Sequence, residues 1–120
     1  MKKYKNLFIL LGVIAVLIIL AVSGRFLNND SGMIFFYGST CPHCKDVEKY
    51  ITDNNVKAKL NFKELETWED KTNAAILSAK AKQCGLDISQ GVPVPLFFDG
   101  QSCYVGSDKI EEFFASKLNN

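Results

Sequence analysis

The sequence predicts one small α/β domain, a four-stranded mixed sheet with helices on both faces, behind a single N-terminal transmembrane helix. Two observations predict this architecture. Residues 7–22 form an unbroken apolar run near the N-terminus. The remaining chain is long enough for one domain and follows the order strand, helix, strand, helix, strand, strand, helix. Two strand–helix units followed by a hairpin and a helix imply a sheet with both parallel and antiparallel neighbours.

The composition excludes several classes of protein. Lys and Arg number 14 against 13 Asp and Glu, so the formal charge is only +1. We therefore expect no nucleic-acid partner, because phosphates favour a strongly basic face. Apolar residues at 48% and charged residues at 22% are typical of a globular protein rather than a disordered one. Four cysteines are too few for a disulfide-dense miniprotein.

Residues 1–25 predict a signal anchor or a cleaved signal peptide. Lysines precede the apolar run 7–22, which has no polar face and is therefore not the core of a soluble domain. A retained anchor needs about 18 to 20 residues, which residues 4–27 supply with their flanks. A cleaved signal peptide needs an apolar region of about 7–15 residues and a small-residue cut site, which residues 21–23 supply weakly. Both outcomes place the following chain outside the cytoplasm, either anchored as a single-pass membrane protein or secreted.

The chain after the apolar run begins with a spacer. Residues 26–32 include Asn, Asp, Ser and Gly and are predicted to form a short flexible linker. The folded domain is expected over residues 33–120. Its first strand is residues 33–37, an apolar and aromatic run ended by Gly38, which favours a strand buried on both faces.

A helix and a second strand are predicted next. Thr40 is the expected cap of a helix over residues 41–53, and Pro42 is tolerated there because it falls in the first turn. Residues 58–62 then alternate apolar and polar side chains, which predicts a half-buried strand.

Two further helices flank a predicted hairpin. Residues 67–70 have the form of a capping box, which starts a helix that reaches Cys84 and ends at Gly85. The Asp-Gly pair at residues 99–100 lies between apolar runs and predicts a hairpin turn. Residues 106–118 carry an apolar stripe at helical spacing and form the last predicted helix.

The sequence Cys41-Pro42-His43-Cys44 lies where the first strand passes into the first helix of the domain. Two intervening residues in a helical turn bring the sulfurs close enough for a bond of about 2.05 Å. Unpaired amides and the helix dipole stabilise a thiolate at the first position. We therefore predict Cys41 as an exposed nucleophile and Cys44 as the resolving thiol, with an inert disulfide as the alternative.

This motif in this setting resembles the thioredoxin superfamily. The resemblance covers residues 33–118, and the order β-α-β-α-β-β-α is closer to glutaredoxin than to thioredoxin. It implies a thiol–disulfide oxidoreductase in which Cys41 and Cys44 exchange disulfides. Pro42 and His43 also stand between the cysteines of DsbA-like oxidants, so the resemblance implies that they tune the redox potential. The large helical insertion of those oxidants is missing here.

The resemblance also implies a cis-proline before the third strand, facing the two cysteines. Pro93 and Pro95 are the candidates. A cis bond at Pro93 would leave Pro95 badly placed inside the strand, so we predict the cis bond at Val94–Pro95. Val94 and Pro95 are then expected to bind the substrate chain. The alternative is two ordinary loop prolines.

Residues 103–108 are similar to the glutaredoxin segment Cys-Ile-Gly-Gly-x-Asp. The resemblance implies that Asp108 helps to hold the amino end of glutathione, a candidate small substrate. Val105 replaces the first glycine of that pair, which departs from the pattern. The alternative is that Ser107 or Asp108 is simply the N-cap of the last helix.

Cys84 and Cys103 are the remaining cysteines. Outside the cytoplasm they are expected to form a structural disulfide contributing about 3 kcal/mol. The alternatives are that Cys103 is a small buried apolar residue or that the pair relays electrons. A four-cysteine zinc site would lack the second paired knuckle usual for structural zinc, so we expect no metal. Trp68 and the phenylalanines are expected in the core.

The functional expectation is an extracytoplasmic, membrane-anchored protein-disulfide oxidoreductase, more an oxidant than a reductant, without metal or organic cofactor. Its expected partners are cysteine-containing protein clients and a membrane or soluble redox protein that recycles the cysteine pair. Three alternatives remain open. They are a tethered reductase or electron relay, a non-enzymatic module binding a soft metal such as copper(I) through Cys41 and Cys44, and an adaptor with an idle cysteine pair.

Overall fold

A computed structural model describes residues 2–26 and 32–119 of the 120-residue chain. They belong to two units, one before residue 31 and one from it onward. Most of the expected linker, residues 26–32, lies outside the described residues. The elements are α1 (Lys2–Phe26), β1 (Ile34–Tyr37), α2 (Pro42–Asp53), a 3-10 helix (Val56–Ala58), β2 (Lys63–Glu66), α3 (Lys71–Gln83), β3 (Leu96–Phe98), β4 (Cys103–Val105) and α4 (Ser107–Leu118).

The first unit is the helix α1. Its stretch Lys2–Val22 is long and apolar enough to cross a membrane, and none of it is buried within the chain. Within the described residues no other helix meets this condition. Signal sequences share the same length and composition, so the helix itself fits both an anchor and a signal peptide.

The second unit is built on the predicted four-stranded mixed sheet, with the strand order β2-β1-β3-β4. β1 and β2 are parallel and end side by side, with Tyr37 opposite Glu66. β3 is antiparallel to β1 and starts at that same edge, with Leu96 opposite Phe36. β4 pairs antiparallel with β3. The carboxyl ends of β1 and β2 therefore meet the start of β3 at one edge of the sheet.

Alternating side chains of the strands supply two apolar clusters, one on each face of the sheet. One cluster joins Phe35 and Phe97 to α2 and α4, and the other joins Phe36 and Leu96 to Leu77 of α3. Burying each of these large side chains stabilises the fold by about 1.5–3 kcal/mol. The helices are held in this way on both faces, which fixes where α2 begins relative to the sheet.

The second predicted strand is wrong in position. The alternating residues 58–62 are not a strand, and β2 begins only at Lys63. Asn55 turns the chain with a φ of 51°, and Val56 and Phe62 pack into the core from this connection. Val56 and Phe62 therefore belong to the apolar core, although they lie outside any strand. β2 itself is an edge strand whose side chains are exposed or half-buried.

The third helix also starts later than predicted. Asp70, rather than Thr67, is the N-cap of α3, and its carboxylate accepts a hydrogen bond of 3.0 Å from the Asn73 amide. Gly85 follows the helix with a φ of 76°, in the left-handed region that glycine adopts at helix ends. The predicted hairpin and last helix are confirmed as β3, β4 and α4.

Candidate active site at the Cys41–Cys44 disulfide

Cys41 lies in the turn that joins β1 to α2. Its amide donates to the Gly38 carbonyl at 3.3 Å, and its extended backbone makes it the N-cap of α2. Thr40, the expected cap, is therefore one residue too early. The Cys41 Sγ accepts a hydrogen bond of 3.2 Å from the Cys44 amide. A sulfur thus satisfies one of the helix amides that have no partner within the helix.

Cys41 and Cys44 form a disulfide with their Cα atoms 5.2 Å apart, inside the usual range. Cys44 is fully buried and Cys41 is only 4% exposed. The expectation of an exposed nucleophile is therefore wrong for the disulfide form. The Val94 carbonyl oxygen lies 3.9 Å from the Cys41 Sγ, in contact with it, and this neighbour helps to cover the sulfur. Of the two residues in this disulfide, Cys41 has the larger exposed fraction.

The proline segment lies beside Cys41. The Val94–Pro95 peptide bond is cis, which confirms the predicted choice between the two prolines. Pro95 is buried, and its carbonyl accepts a 3.0 Å hydrogen bond from the Gly106 amide next to β4. Pro93 is exposed in the preceding loop. This arrangement holds the Val94 carbonyl against the sulfur of Cys41.

An open groove of about 420 Å³ adjoins these residues, and we call it the proline groove. Among its lining residues are His43, Val94, Pro95, Ser107, Asp108 and Lys109. Four of the predicted site residues are therefore brought together. The N-cap of α4 is Gly106, with a φ of 92° and no side-chain cap, so the capping alternative for Ser107 and Asp108 is wrong.

The ionisable side chains in the first turns of α2 are exposed to solvent. His43 Nδ1 lies 3.8 Å from Asp46 Oδ2, and these side chains are 76% and 66% exposed. Such exposed pairs contribute little to stability. Pro42 is the first residue of α2 and is also exposed. Within residues 2–26 and 32–119, no three His, Cys, Asp or Glu side chains are placed to hold a metal ion.

Glu66 is a residue of this site that sequence reasoning missed. Its carboxylate accepts hydrogen bonds from the backbone amides of Ser39 at 3.2 Å, Trp68 at 2.6 Å, Glu69 at 2.9 Å and Asp70 at 3.2 Å. Burial raises the pKa of Glu66, but the four amides outweigh it and hold the pKa below its usual range. An acidic residue at the carboxyl end of a strand parallel to β1 was the available signal.

Trp68 does not lie in the core as expected, because it is 54% exposed. Its indole ring covers Gly38, where an added methyl group would overlap the ring. In the part of the second unit that the structure describes, residues 32–119, Trp68 alone is an exposed large apolar side chain. It therefore shields the turn that leads to Cys41, from the side of β2.

Cys84 and Cys103 form a second disulfide, with their Cα atoms 6.0 Å apart. It joins the residue after α3 to β4. Cys103 lies opposite Phe98, which lies opposite Ile34, so this bond is at the far end of the sheet from Tyr37 and the first disulfide. The bond agrees with the expected pairing of Cys84 with Cys103, and a relay role for this pair stays a prediction.

Comparison with solved structures identifies the fold. A mutated buckwheat glutaredoxin is 20% identical, with 80% of each chain covered and a TM-score of 0.50. Glutaredoxin 1 from Francisella tularensis is 19% identical over 73% of this chain and 96% of its own, also with a TM-score of 0.50. Reduced glutaredoxin C1 from Populus tremula x tremuloides is 22% identical over 74% and 68%, at 0.50. No protein-family model and no curated protein sequence matches. The second unit thus has the expected glutaredoxin-type, thioredoxin-like fold.

Proposed function

We propose that the chain is a membrane-anchored thiol–disulfide oxidoreductase that oxidises cysteine-containing protein clients through Cys41 and Cys44. The observation that carries the proposal is the position of the Cys41 sulfur. It is the N-cap of α2, accepts the Cys44 amide at 3.2 Å and lies beside the Val94 carbonyl and the proline groove. Amides and the dipole at a helix start stabilise a thiolate, which makes Cys41 a good leaving group and a competent nucleophile.

The reaction runs through a mixed disulfide. A client thiolate attacks the Cys41 Sγ, a client–Cys41 bond forms, and the Cys41–Cys44 bond breaks with release of the Cys44 thiolate. A second client thiolate then attacks the client sulfur of the mixed disulfide and expels the Cys41 thiolate. The client has lost two electrons, which now reside in the reduced cysteine pair. A redox partner must accept these electrons before the next turnover.

Access to Cys41 is proposed to run from the proline groove, because Val94 both lines this groove and contacts the Cys41 sulfur. Cys44 has no exposed surface, whereas Cys41 keeps a small one, so a client reaches Cys41 first. The client chain is proposed to lie along Val94 and Pro95. Exposed Pro42 and His43 border this approach and are proposed to tune the redox potential, because they flank the start of α2.

Glutathione is proposed as a small substrate of the same groove. Asp108 is exposed in the first turn of α4 and lines the groove together with Val94 and Pro95. A carboxylate here would pair with the amino end of glutathione, and the first-turn amides of Ser107 and Asp108 would bind a carboxylate. Asp108→Asn is expected to slow the reduction of a glutathione mixed disulfide more than that of a peptide disulfide.

The location of the domain is proposed from the first unit. Lysines precede the apolar stretch of α1, and positive residues stay on the cytoplasmic side of a membrane. The domain is therefore proposed to lie outside the cytoplasm, where disulfides persist. A membrane-impermeant thiol reagent applied to intact cells after mild reduction is expected to label the domain cysteines. Labelling only after lysis would overturn this location.

The proposal is tested with the full chain in detergent. Equilibration in graded glutathione buffers, followed by alkylation and mass spectrometry, gives the potential of the Cys41–Cys44 pair. A potential of about −120 mV would support the proposal that the chain is an oxidant, and one of about −270 mV would support the alternative that it is a reductase. Cys44→Ser, incubated with a client in its disulfide form, is expected to hold that client on Cys41 as a mixed disulfide. The Cys41 thiolate attacks the client disulfide, one client thiolate leaves, and no Cys44 thiol remains to resolve the product. Cys41→Ser is the matched control, and trapping by this variant instead would contradict the assigned roles.

A further inference from the structure

The turn before Cys41 is bonded to a side chain of β2 rather than through backbone strand pairing. Residues 38–40 lie between the end of β1 and the start of α2, so they belong to neither element. A single backbone hydrogen bond, from Cys41 to Gly38, closes this turn. A segment with so few bonds of its own needs an external support to keep a sulfur in one place.

Glu66 supplies that support from the end of β2. Its Oε1 accepts from the amides of both Ser39 and Trp68, so one oxygen joins the turn to the loop that follows β2. Its Oε2 accepts from Glu69 and Asp70 in the same loop. The four donors leave no room for a proton on the carboxyl group, and an ionised acceptor makes the stronger hydrogen bonds.

Two further contacts join the same segments. The Ser39 hydroxyl donates to Glu69 Oε1 at 3.0 Å. The Trp68 ring covers Gly38, and the Trp68 amide is the one bound at 2.6 Å by Glu66. The Glu66 carboxylate therefore binds both the turn and the residue that carries this ring.

We propose that Glu66 is a positioning residue for disulfide exchange at Cys41, acting through the turn at residues 38–40 and the Trp68 loop. The inference rests on the proposed function for its biological meaning, but the positioning itself concerns only the reactivity of Cys41. Glu66 touches neither sulfur in this structure. Its effect comes from holding the start of α2 so that the amides of the first helical turn remain aimed at the Cys41 sulfur.

The test compares two variants, one that removes the negative charge of Glu66 and one that keeps it. Glu66→Gln keeps the shape but places an amide donor among backbone donors, whereas Glu66→Asp keeps the charge but shortens the reach. The measurement is the alkylation rate of Cys41 by iodoacetamide in the reduced full chain from pH 5 to 9, with the peptide identified by mass spectrometry. Both variants are expected to react about tenfold more slowly at pH 7, below the roughly hundredfold effect of a displacement near 1 Å. The pKa of Cys41 is expected to rise in both.

Glu64→Gln is the matched control, because Glu64 is on the same strand and pairs with Lys57 at 2.7 Å instead of with the turn. It is expected to leave the alkylation profile unchanged. If Glu66→Gln lowers the pKa of Cys41 while Glu66→Asp has no effect, Glu66 acts as a distant charge and the proposal is wrong. Unchanged profiles in both variants would also overturn it.

Folding is followed in the same samples by urea unfolding with far-ultraviolet circular dichroism, because the Trp68 amide is itself bonded to Glu66. If Glu66→Gln does not fold, Glu66→Asp is measured alone, and a slowed reaction in the folded protein still supports positioning. If neither variant folds, Glu66 is a folding residue and the proposal is overturned. A wild-type chain that fails to oxidise a client would refute the proposed function and leave the alkylation comparison intact.

Discussion

The two disulfides of this domain are chemically the same bond in two different surroundings. Cys41–Cys44 spans three positions at the start of a helix, and its sulfur accepts a helix amide. Cys84–Cys103 spans 19 positions, joins the end of α3 to β4 and lies at the opposite end of the sheet. One bond closes almost no chain, while the other closes a long loop.

The difference in loop length and surroundings fits a redox role for the short-loop pair and a structural role for the long-loop pair. A disulfide that closes a short loop removes less entropy from the unfolded chain than one that closes a long loop, so it contributes less stability by that route. Helix amides that stabilise one of its thiolates also favour the reduced form. The longer link restricts the unfolded chain more, and the structure shows no helix N-terminus at either of its cysteines. The surroundings of each pair, rather than the bond itself, indicate its role.

The largest expected difference between the pairs concerns activity. Cys41→Ser is expected to reduce the oxidation of a cysteine-containing client by at least about a thousandfold, because the attacked sulfur is removed. Cys84→Ser is expected to keep most of the activity. The measurement is the rate at which the oxidised full chain forms the disulfide of a reduced test protein. Comparable losses in the two variants would remove the distinction.

The redox potentials are expected to differ next. The Cys41–Cys44 pair should have a potential between about −120 and −270 mV, and the Cys84–Cys103 pair one below about −300 mV, as for structural disulfides. Alkylation in graded glutathione buffers, read at each cysteine by mass spectrometry, measures both. A Cys84–Cys103 pair that is reduced first would show that it is the labile bond.

Stability is expected to respond in the opposite sense. Replacing both Cys84 and Cys103 with Ala should lower the free energy of unfolding by about 3 kcal/mol, because the 19-position link no longer restricts the unfolded chain. Replacing both Cys41 and Cys44 should lower it by about 2 kcal/mol, because the shorter loop restricts the unfolded chain less. Urea unfolding of the full chain in detergent, followed through Trp68 fluorescence, makes the comparison. Equal losses would contradict the entropic argument.

The smallest expected effect is a pH dependence at the Cys41 end of the sheet. The folded pKa of Glu66 is below its unfolded value of about 4.5, so its stabilisation is present above that pH and is lost as the pH falls through the folded pKa. Urea midpoints between pH 3 and 7 should therefore fall less steeply for Glu66→Gln than for the wild type. Glu64→Gln provides the control, and identical slopes for all three proteins would contradict the prediction.

Much of the site was predictable because its signals are local. The cysteine pair at a strand-to-helix junction, the Asp-Gly hairpin and the choice of Pro95 over Pro93 each depend on neighbouring residues in the chain. The second strand was misplaced because alternation at residues 58–62 is shared by strands and by irregular segments that pack into a core. Parallel pairing with β1 placed the strand at Lys63 instead.

Local pattern thus established the order of elements, the cysteine pair, the proline segment and the apolar N-terminal stretch of this chain. Contacts between distant residues established the near-complete burial of Cys41, the exposure of Trp68 over Gly38 and the four amides on Glu66. The reason is physical. Backbone propensities act over a few residues, whereas burial and hydrogen bonding depend on which chain segments the fold brings together.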